Sequence, residues 1–224
     1  MIRDIIIAID GHSGCGKSTT SRLLAKYLKF KYLDSGAMYR AVTLYFMNKN
    51  VTPSQDIKIN NALKEIQIDF KYVEGEQHIF LNNNDVESDI RSDDVSNNVS
   101  LFSSNSSLRK FLVNKQKAFG NDKDIVVEGR DITTVVFPDA EVKVFMTANI
   151  EVRAKRRFNE MKIKNPEITY SDVIENLEKR DVQDSTRKDS PLRIADDAFI
   201  LDTSDLEISE QVDKIINFIE KKFS

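Results

Sequence analysis

The chain of 224 residues contains one cysteine, two histidines, four prolines and seven glycines, and each scarcity removes a class of protein. Cys15 alone cannot close an intrachain disulfide. With only His12 and His78 beside it, no ligand set for a structural zinc site exists. A lone thiol suits a reducing compartment, so a cytoplasmic location is expected. The apolar run Ile5-Ile6-Ile7-Ala8-Ile9 is far too short to cross a bilayer and is stopped by Asp10, so no export or anchoring segment is expected. Excess charge is scarce as well. Thirty-three Lys and Arg stand against 36 Asp and Glu, a net charge of −3, which gives no global field to attract nucleic acid or membrane. Any anionic ligand must be held by local basic clusters. Proline and glycine form no linker and no segment repeats, so one core is expected.

Glycine is rare but not evenly spread. Three of the seven fall in Gly11-His12-Ser13-Gly14-Cys15-Gly16-Lys17-Ser18, directly after the apolar run. The spacing is Gly-x-x-x-x-Gly-Lys-Ser, in the strand-then-helix setting that a phosphate-cradling loop requires. A concave row of backbone N–H groups at a helix N-terminus binds phosphate oxygens. Lys17 would reach the β- and γ-phosphates of a nucleotide, Ser18 would offer its hydroxyl to a magnesium ion, and Thr19 follows in the same first turn.

The remaining pattern alternates helix and strand. Leu23, Leu24, Tyr27 and Leu28 predict a first helix, Tyr32-Leu33 a short second strand, and Ala37 to Met47 a second helix. Thr52-Pro53-Ser54-Gln55 reads as a capping box that starts the next helix with proline at its first position. Alternation at Ile66, Ile68, Phe70, Ile79 and Leu81, with a turn at Glu74-Gly75-Glu76, predicts a small antiparallel sheet over 66–88. Residues 93–119 return to helix. Asp124 to Glu128 and Val142 to Met146 are buried strands, and Asn149, Thr169 and Ser204 read as caps of the last three helices, with a final strand from Ala198 to Leu201. The fold expected is α/β: a five-stranded parallel sheet flanked by helices, with a small antiparallel insert and a helical lid. As a single domain it would comprise a core over about 1–60, 89–148 and 190–224, an insert over about 61–88 and a lid over about 149–189. Ligands bind such sheets at the carboxyl ends of the strands.

The kind of phosphate chemistry follows partly by exclusion. No glycine has an aspartate three residues before it, so the Asp-x-x-Gly switch of GTPases is missing. Asn114-Lys115-Gln116-Lys117 lacks the carboxylate that would read guanine. Protein-kinase signatures are missing too. A small-molecule kinase or another P-loop ATPase remains. Arg153, Arg156 and Arg157 share one helical face by spacing, as do Arg180 and Arg187 with Asp184 between them. Phosphoryl transfer depends on positioning and on neutralising spread negative charge, work that arginines on a mobile cover can do. No general base stands out. A nucleoside monophosphate needs none, since its phosphate is already anionic at neutral pH.

Several motifs together are more specific than the loop: Leu33-Asp34-Ser35-Gly36-Ala37-Met38-Tyr39-Arg40, Glu128-Gly129-Arg130-Asp131, Thr134-Val135-Val136-Phe137-Pro138, and Lys179-Arg180-Asp181 through Arg187. In this order, over nearly the whole length, the chain resembles the bacterial cytidylate kinases. The resemblance implies ATP-dependent phosphorylation of CMP and dCMP with Mg²⁺. A monomer without nucleic-acid or membrane partners is expected. The resemblance further implies that Ser35, Tyr39 and Arg40 face the CMP ribose-phosphate, that Arg130 meets its phosphate, and that Ser100, Arg109 and Asp131 read the cytosine edge. Arg180, Asp184 and Arg187 would close over the substrates, and Arg153 and Arg157 would belong to the lid. On this reading Lys17, Arg130, Arg153, Arg157, Arg180 and Arg187 are the catalytic set, and Gly11 to Thr19 hold the ATP phosphates. Departures from the family pattern are His12 for Pro, Cys15 for Ala, Ser18 for Gly, Thr133 for Gly and Gln183 for Arg. A kinase for another acceptor such as UMP, and a non-catalytic ATP-binding regulator, are the alternatives.

Overall fold

In chain order the elements are β1 (Ile6–Gly11), α1 (Lys17–Leu28), β2 (Lys31–Asp34), α2 (Ser35–Asn48), α3 (Asp56–Leu63), β3 (Ile68–Val73), β4 (Glu76–Leu81), β5 (Asn84–Asp85), α4 (Asp93–Phe102), α5 (Ser106–Phe119), β6 (Ile125–Gly129), β7 (Val142–Thr147), α6 (Ile150–Lys162), α7 (Tyr170–Thr186), β8 (Phe199–Asp202) and α8 (Ile208–Lys222). They come from a computed structural model that describes residues 2–163 and 165–224. The chain divides into two units: residues 1–33 with 119–224, and residues 34–118.

The first unit is built on the sheet of order β2-β6-β1-β7-β8. β1 runs parallel to both β6 and β7, and β7 parallel to β8, with Ile9 opposite Glu128 on one side and Val144 on the other. A central strand buried on both faces needs an unbroken apolar run, and Ile7, Ala8 and Ile9 are fully buried. Its principal core joins Ile5, Ile7, Ile9, Val144 and Met146 to Leu24 of α1 and to Val212, Ile215 and Ile219 of α8. A second cluster pairs α6 with α7 through Ala154, Val173 and Leu177. In α1 the buried stripe is Thr20, Ser21, Leu24 and Ala25, while Leu23 and Tyr27, expected on the apolar face, are exposed. On that buried stripe Thr20 donates to Gln211 of α8 at 2.7 Å.

The second unit contains helices α2 to α5 and the three-stranded sheet β3-β4-β5, whose hairpin pairs Ile68 with Leu81 and Val73 with Glu76. The expected insert is thus present. Ile59, Ile79, Ile90, Leu108 and Leu112 are fully buried, and the Phe46 and Phe102 rings lie 5.3 Å apart.

Three expected caps differ in the structure. Thr52 to Gln55 closes a separate turn, with the Gln55 side chain accepting from Thr52 N–H at 3.1 Å, and α3 begins only at Asp56. Asn149 precedes α6 but its side chain makes no cap bond; its N–H donates to Ser204 Oγ instead. Ser204, so engaged and also bound to Asp202, is not a cap, and the box at α8 is formed by Glu207 and Glu210. Residues 93–119 form two helices, with Ser103 bonding back to Ser100 and Asn105 capping the second through the Leu108 N–H.

Candidate active site

Within the first unit the loop from Gly11 to Gly16 joins β1 to α1. Gly11 has φ +150°, and a Cβ there would lie 1.9 Å from the Met146 carbonyl oxygen of β7, so no side chain fits. Gly14 has φ +78° and backs onto Arg153, whose Cβ would be 3.2 Å from an added Cβ. Lys17 is buried, and its ammonium donates to the His12 carbonyl at 2.6 Å and approaches Cys15 Sγ at 3.6 Å. Burial, then the Arg130 guanidinium, lower its pKa. The His12 ring meets Phe145 edge-on, with centroids 5.7 Å apart. Burial, opposed by Asp181, holds its pKa below the ordinary value.

The turn after β6 carries Arg130 and Asp131. A π-type turn over Ile132–Val136 follows, and Asp10, at the end of β1, ties it down. Its carboxylate accepts from the N–H groups of Ile132 (2.9 Å) and Thr133 (2.7 Å) and from the Thr133 hydroxyl (2.6 Å). Burial pushes the Asp10 carboxyl up to about 6, against the pull of these bonds. Thr133, where the family pattern has glycine, therefore adds a bond to this anchor.

Arg130 donates to Asp184 at 2.9 Å and to Gly129 O at 3.2 Å. Asp184 also lies 3.5 Å from Arg187. Burial would raise the Asp184 pKa, but Arg130, Arg187 and Arg180 outweigh it and hold the carboxyl below its usual range. Two expected guanidiniums, those of Arg130 and Arg187, thus meet one carboxylate, with the charge of Arg180 also acting on it. The three arginines of α6 do not act as one face. Arg153 is buried, donating to Ser13 O (3.2 Å) and Ala148 O (3.0 Å) and pairing with Asp181 at 2.7 Å. Arg156 binds Thr203, and Arg157 pairs with Glu160 at 3.3 Å.

Within the second unit, Asp34 caps α2 by accepting the Ala37 N–H at 2.8 Å. The same carboxylate meets Arg40 at 2.9 Å and Arg91 at 3.4 Å. Burial opposes ionisation of Asp34, yet these two cations keep its pKa low. Arg109 donates to Ser103 O at 3.0 Å, with its guanidinium 5.4 Å from the Tyr39 ring centroid. Ser35, Tyr39 and Ser100 are buried. Arg91 was not singled out by the sequence. Its one signal was the Glu87 four residues earlier, and the two do pair at 2.8 Å.

Ser18 and Thr19 are exposed at the start of α1. Among the described residues no group of three or more His, Cys, Asp or Glu could enclose an ion. A magnesium ion would therefore be held by the neutral Ser18 hydroxyl together with nucleotide oxygens and water, a donor set that suits its preference for keeping water.

A glycine-rich loop closing on a buried lysine, set on a parallel sheet, defines a P-loop nucleotide-binding fold. Solved structures agree at the level of fold. An uncharacterized protein from Eubacterium ventriosum superposes with a TM-score of 0.55 at 13% identity, covering 98% of this chain and 99% of that one. Shikimate kinase from Bacteroides thetaiotaomicron gives a TM-score of 0.50 at 11% identity, over 96% and 98%. The cytidylate kinase family model matches residues 7–221. The cytidylate kinase of Fusobacterium nucleatum is 47% identical over 98% of this chain and 97% of its own length, and that of Phocaeicola vulgatus 46% over 94% of each. In Prochlorococcus marinus a bifunctional pantoate ligase/cytidylate kinase is 46% identical over 99% of this chain and 44% of that protein. The chain belongs to the cytidylate kinase family.

Proposed function

We propose that the protein transfers the γ-phosphoryl group of ATP to CMP and dCMP. A phosphate oxygen of the monophosphate forms the new bond to the γ-phosphorus, the bond from that phosphorus to the bridging oxygen breaks, and ADP leaves. The attacking oxygen is already anionic at neutral pH, so no residue has to remove a proton. The observation that carries the reading is the pairing of Arg130 and Arg187 with Asp184 in the unit that also holds Lys17. That cluster supplies fixed positive charge for a transferring phosphoryl group. On this reading the Gly11–Thr19 loop holds the donor phosphates, with Lys17 on the β- and γ-oxygens. Ser18 would hold Mg²⁺, which when bound neutralises charge on those oxygens. Arg157 serves the lid formed by α6 and α7, and β3 to β5 form the acceptor-side insert. Ser35, Tyr39 and Arg40 take the CMP ribose-phosphate. Asp131 and Ser100 accept from the cytosine amino group while Arg109 donates, so uracil would set its O4 against a carboxylate. A mismatch of that kind costs about 1 to 3 kcal/mol, which corresponds to discrimination of about fivefold to a hundredfold. The reading includes a cytoplasmic monomer; among the described residues no helix is long and apolar enough to cross a membrane.

Coupled ADP release over CMP, dCMP, UMP, AMP and shikimate tests this directly. CMP and dCMP are expected to stimulate release most. A strict UMP preference, or ATP binding with no acceptor-dependent turnover, would refute it. Lys17→Ala is expected to keep its circular dichroism and to lose at least about a hundredfold in kcat, as removal of one transition-state donor does elsewhere.

A further inference from the structure

A loop that cradles phosphate must turn its N–H groups inward. Each trans peptide is planar, so the carbonyl bonded to an inward N–H points the opposite way. The outward carbonyls then need donors of their own. Two of them receive one from outside the loop. Ser13 O accepts from Arg153 of α6 at 3.2 Å, and Cys15 O accepts from the Thr203 hydroxyl at 2.9 Å. The peptides held in this way are Ser13–Gly14 and Cys15–Gly16, whose N–H groups belong to the two glycines.

Thr203, at the end of β8, is fully buried and fixed on every side. Its N–H donates to Thr147 O at 2.8 Å. Arg156 grips it twice, with Nη2 on its carbonyl at 2.7 Å and Nη1 on its hydroxyl oxygen at 3.2 Å. A hydroxyl has one proton. Of the two carbonyls in reach, Cys15 O at 2.9 Å is nearer than Thr147 O at 3.1 Å, which also takes the Thr203 N–H. With Arg156 donating to the oxygen, the proton is directed to the loop. Helix α6 thus reaches the loop by two routes, directly from Arg153 and through Thr203 from Arg156, three residues further on.

We infer that Thr203, held by Arg156, is a positioning residue for the donor nucleotide: it clamps the Cys15–Gly16 peptide outward so that the Gly16 N–H faces the phosphates, as Arg153 does for Gly14. The inference rests on the loop being the ATP site proposed above. It assigns a function to the Arg156–Thr203 pair.

The test is direct ATP binding by isothermal titration, which needs no acceptor, alongside KM for CMP. Thr203→Val keeps the shape and removes the proton. It is expected to weaken ATP binding about tenfold, the effect of one hydrogen bond, and to leave KM for CMP as in the unaltered chain. Thr203→Ser, which restores the hydroxyl, is expected to bring ATP binding back. Arg156→Gln is expected to weaken ATP binding in the same selective way and serves if the valine variant does not fold. Unchanged ATP affinity in a folded Thr203→Val or Arg156→Gln protein overturns the inference, as does an equal loss for ATP and CMP, which marks a merely structural contact. Failure of the unaltered chain to bind ATP removes both this inference and the kinase reading. Selective ATP loss without CMP turnover removes only the latter.

Discussion

At the scale of single residues, the anchors of the site include side chains to which no motif assigns a role. Asp10 is the clearest. Its carboxyl titrates near 6 instead of 3.8 because burial disfavours the charge more than three hydrogen bonds favour it. A group whose folded pKa is raised binds its proton more tightly in the native state. Its stabilising contribution is therefore complete below the unfolded value and is lost as pH rises through the folded value, between about pH 4 and 6. The shift corresponds to about 3 kcal/mol. The ¹³C carboxyl resonance of Asp10 is expected to titrate near pH 6. The difference in urea-unfolding free energy between the unaltered chain and Asp10→Asn is expected to shrink over that window as pH rises. A midpoint near 4 would contradict the account.

Among the elements, α7 shows the local rules at work. Its capping box is complete: the Asp172 N–H donates to Thr169 Oγ1 at 3.2 Å, and the Thr169 N–H donates to Asp172 at 3.1 Å. Thr169→Ala is expected to cost about 1 kcal/mol in chemical denaturation, with no change in ATP binding. The strands and this helix were legible because their signals are contiguous: an Ile or Val run, or a Thr and an Asp three apart. Helices α3 and α8 start beyond the expected Thr52 and Ser204, whereas α6 starts where expected, with Asn149 at its N-cap position but without a side-chain cap bond. Thr52 and Ser204 are cap-forming types whose hydroxyls are engaged elsewhere, that of Thr52 with Ser54 and that of Ser204 with Asp202 and the backbone N–H of Asn149. A sequence shows which residues can cap, not which partner wins. The expected arginine face of α6 failed likewise, since spacing aligns Cα atoms while three long side chains reach three different partners.

For the whole molecule, the phosphate loop, the five-stranded sheet and the insert could be read in advance, because glycine spacing and hydrophobic period are written along the chain. The supports could not. Thr203 reaches Cys15 across 188 residues and Thr133 reaches Asp10 across 123, and no local pattern announces such pairs. Bulk charge is a property of the same scale. With a net charge of −3 and a pI near 5.6, solubility is expected to be lowest near pH 5.6 and to recover above pH 7, as turbidity measurements would show. A minimum well above pH 7 would mean that the acidic groups are not ionised as assumed.

The lysine of the loop already has an occupant. With its ammonium 2.6 Å from the His12 carbonyl, an arriving ligand competes with the protein's own backbone, and the affinity measured is the difference between two attachments. A dipole is the standing competitor, so only a ligand bringing full negative charge gains much by displacing it. On the reading proposed above, the loop would thus discriminate by charge, and a nucleoside without phosphates would gain nothing from Lys17.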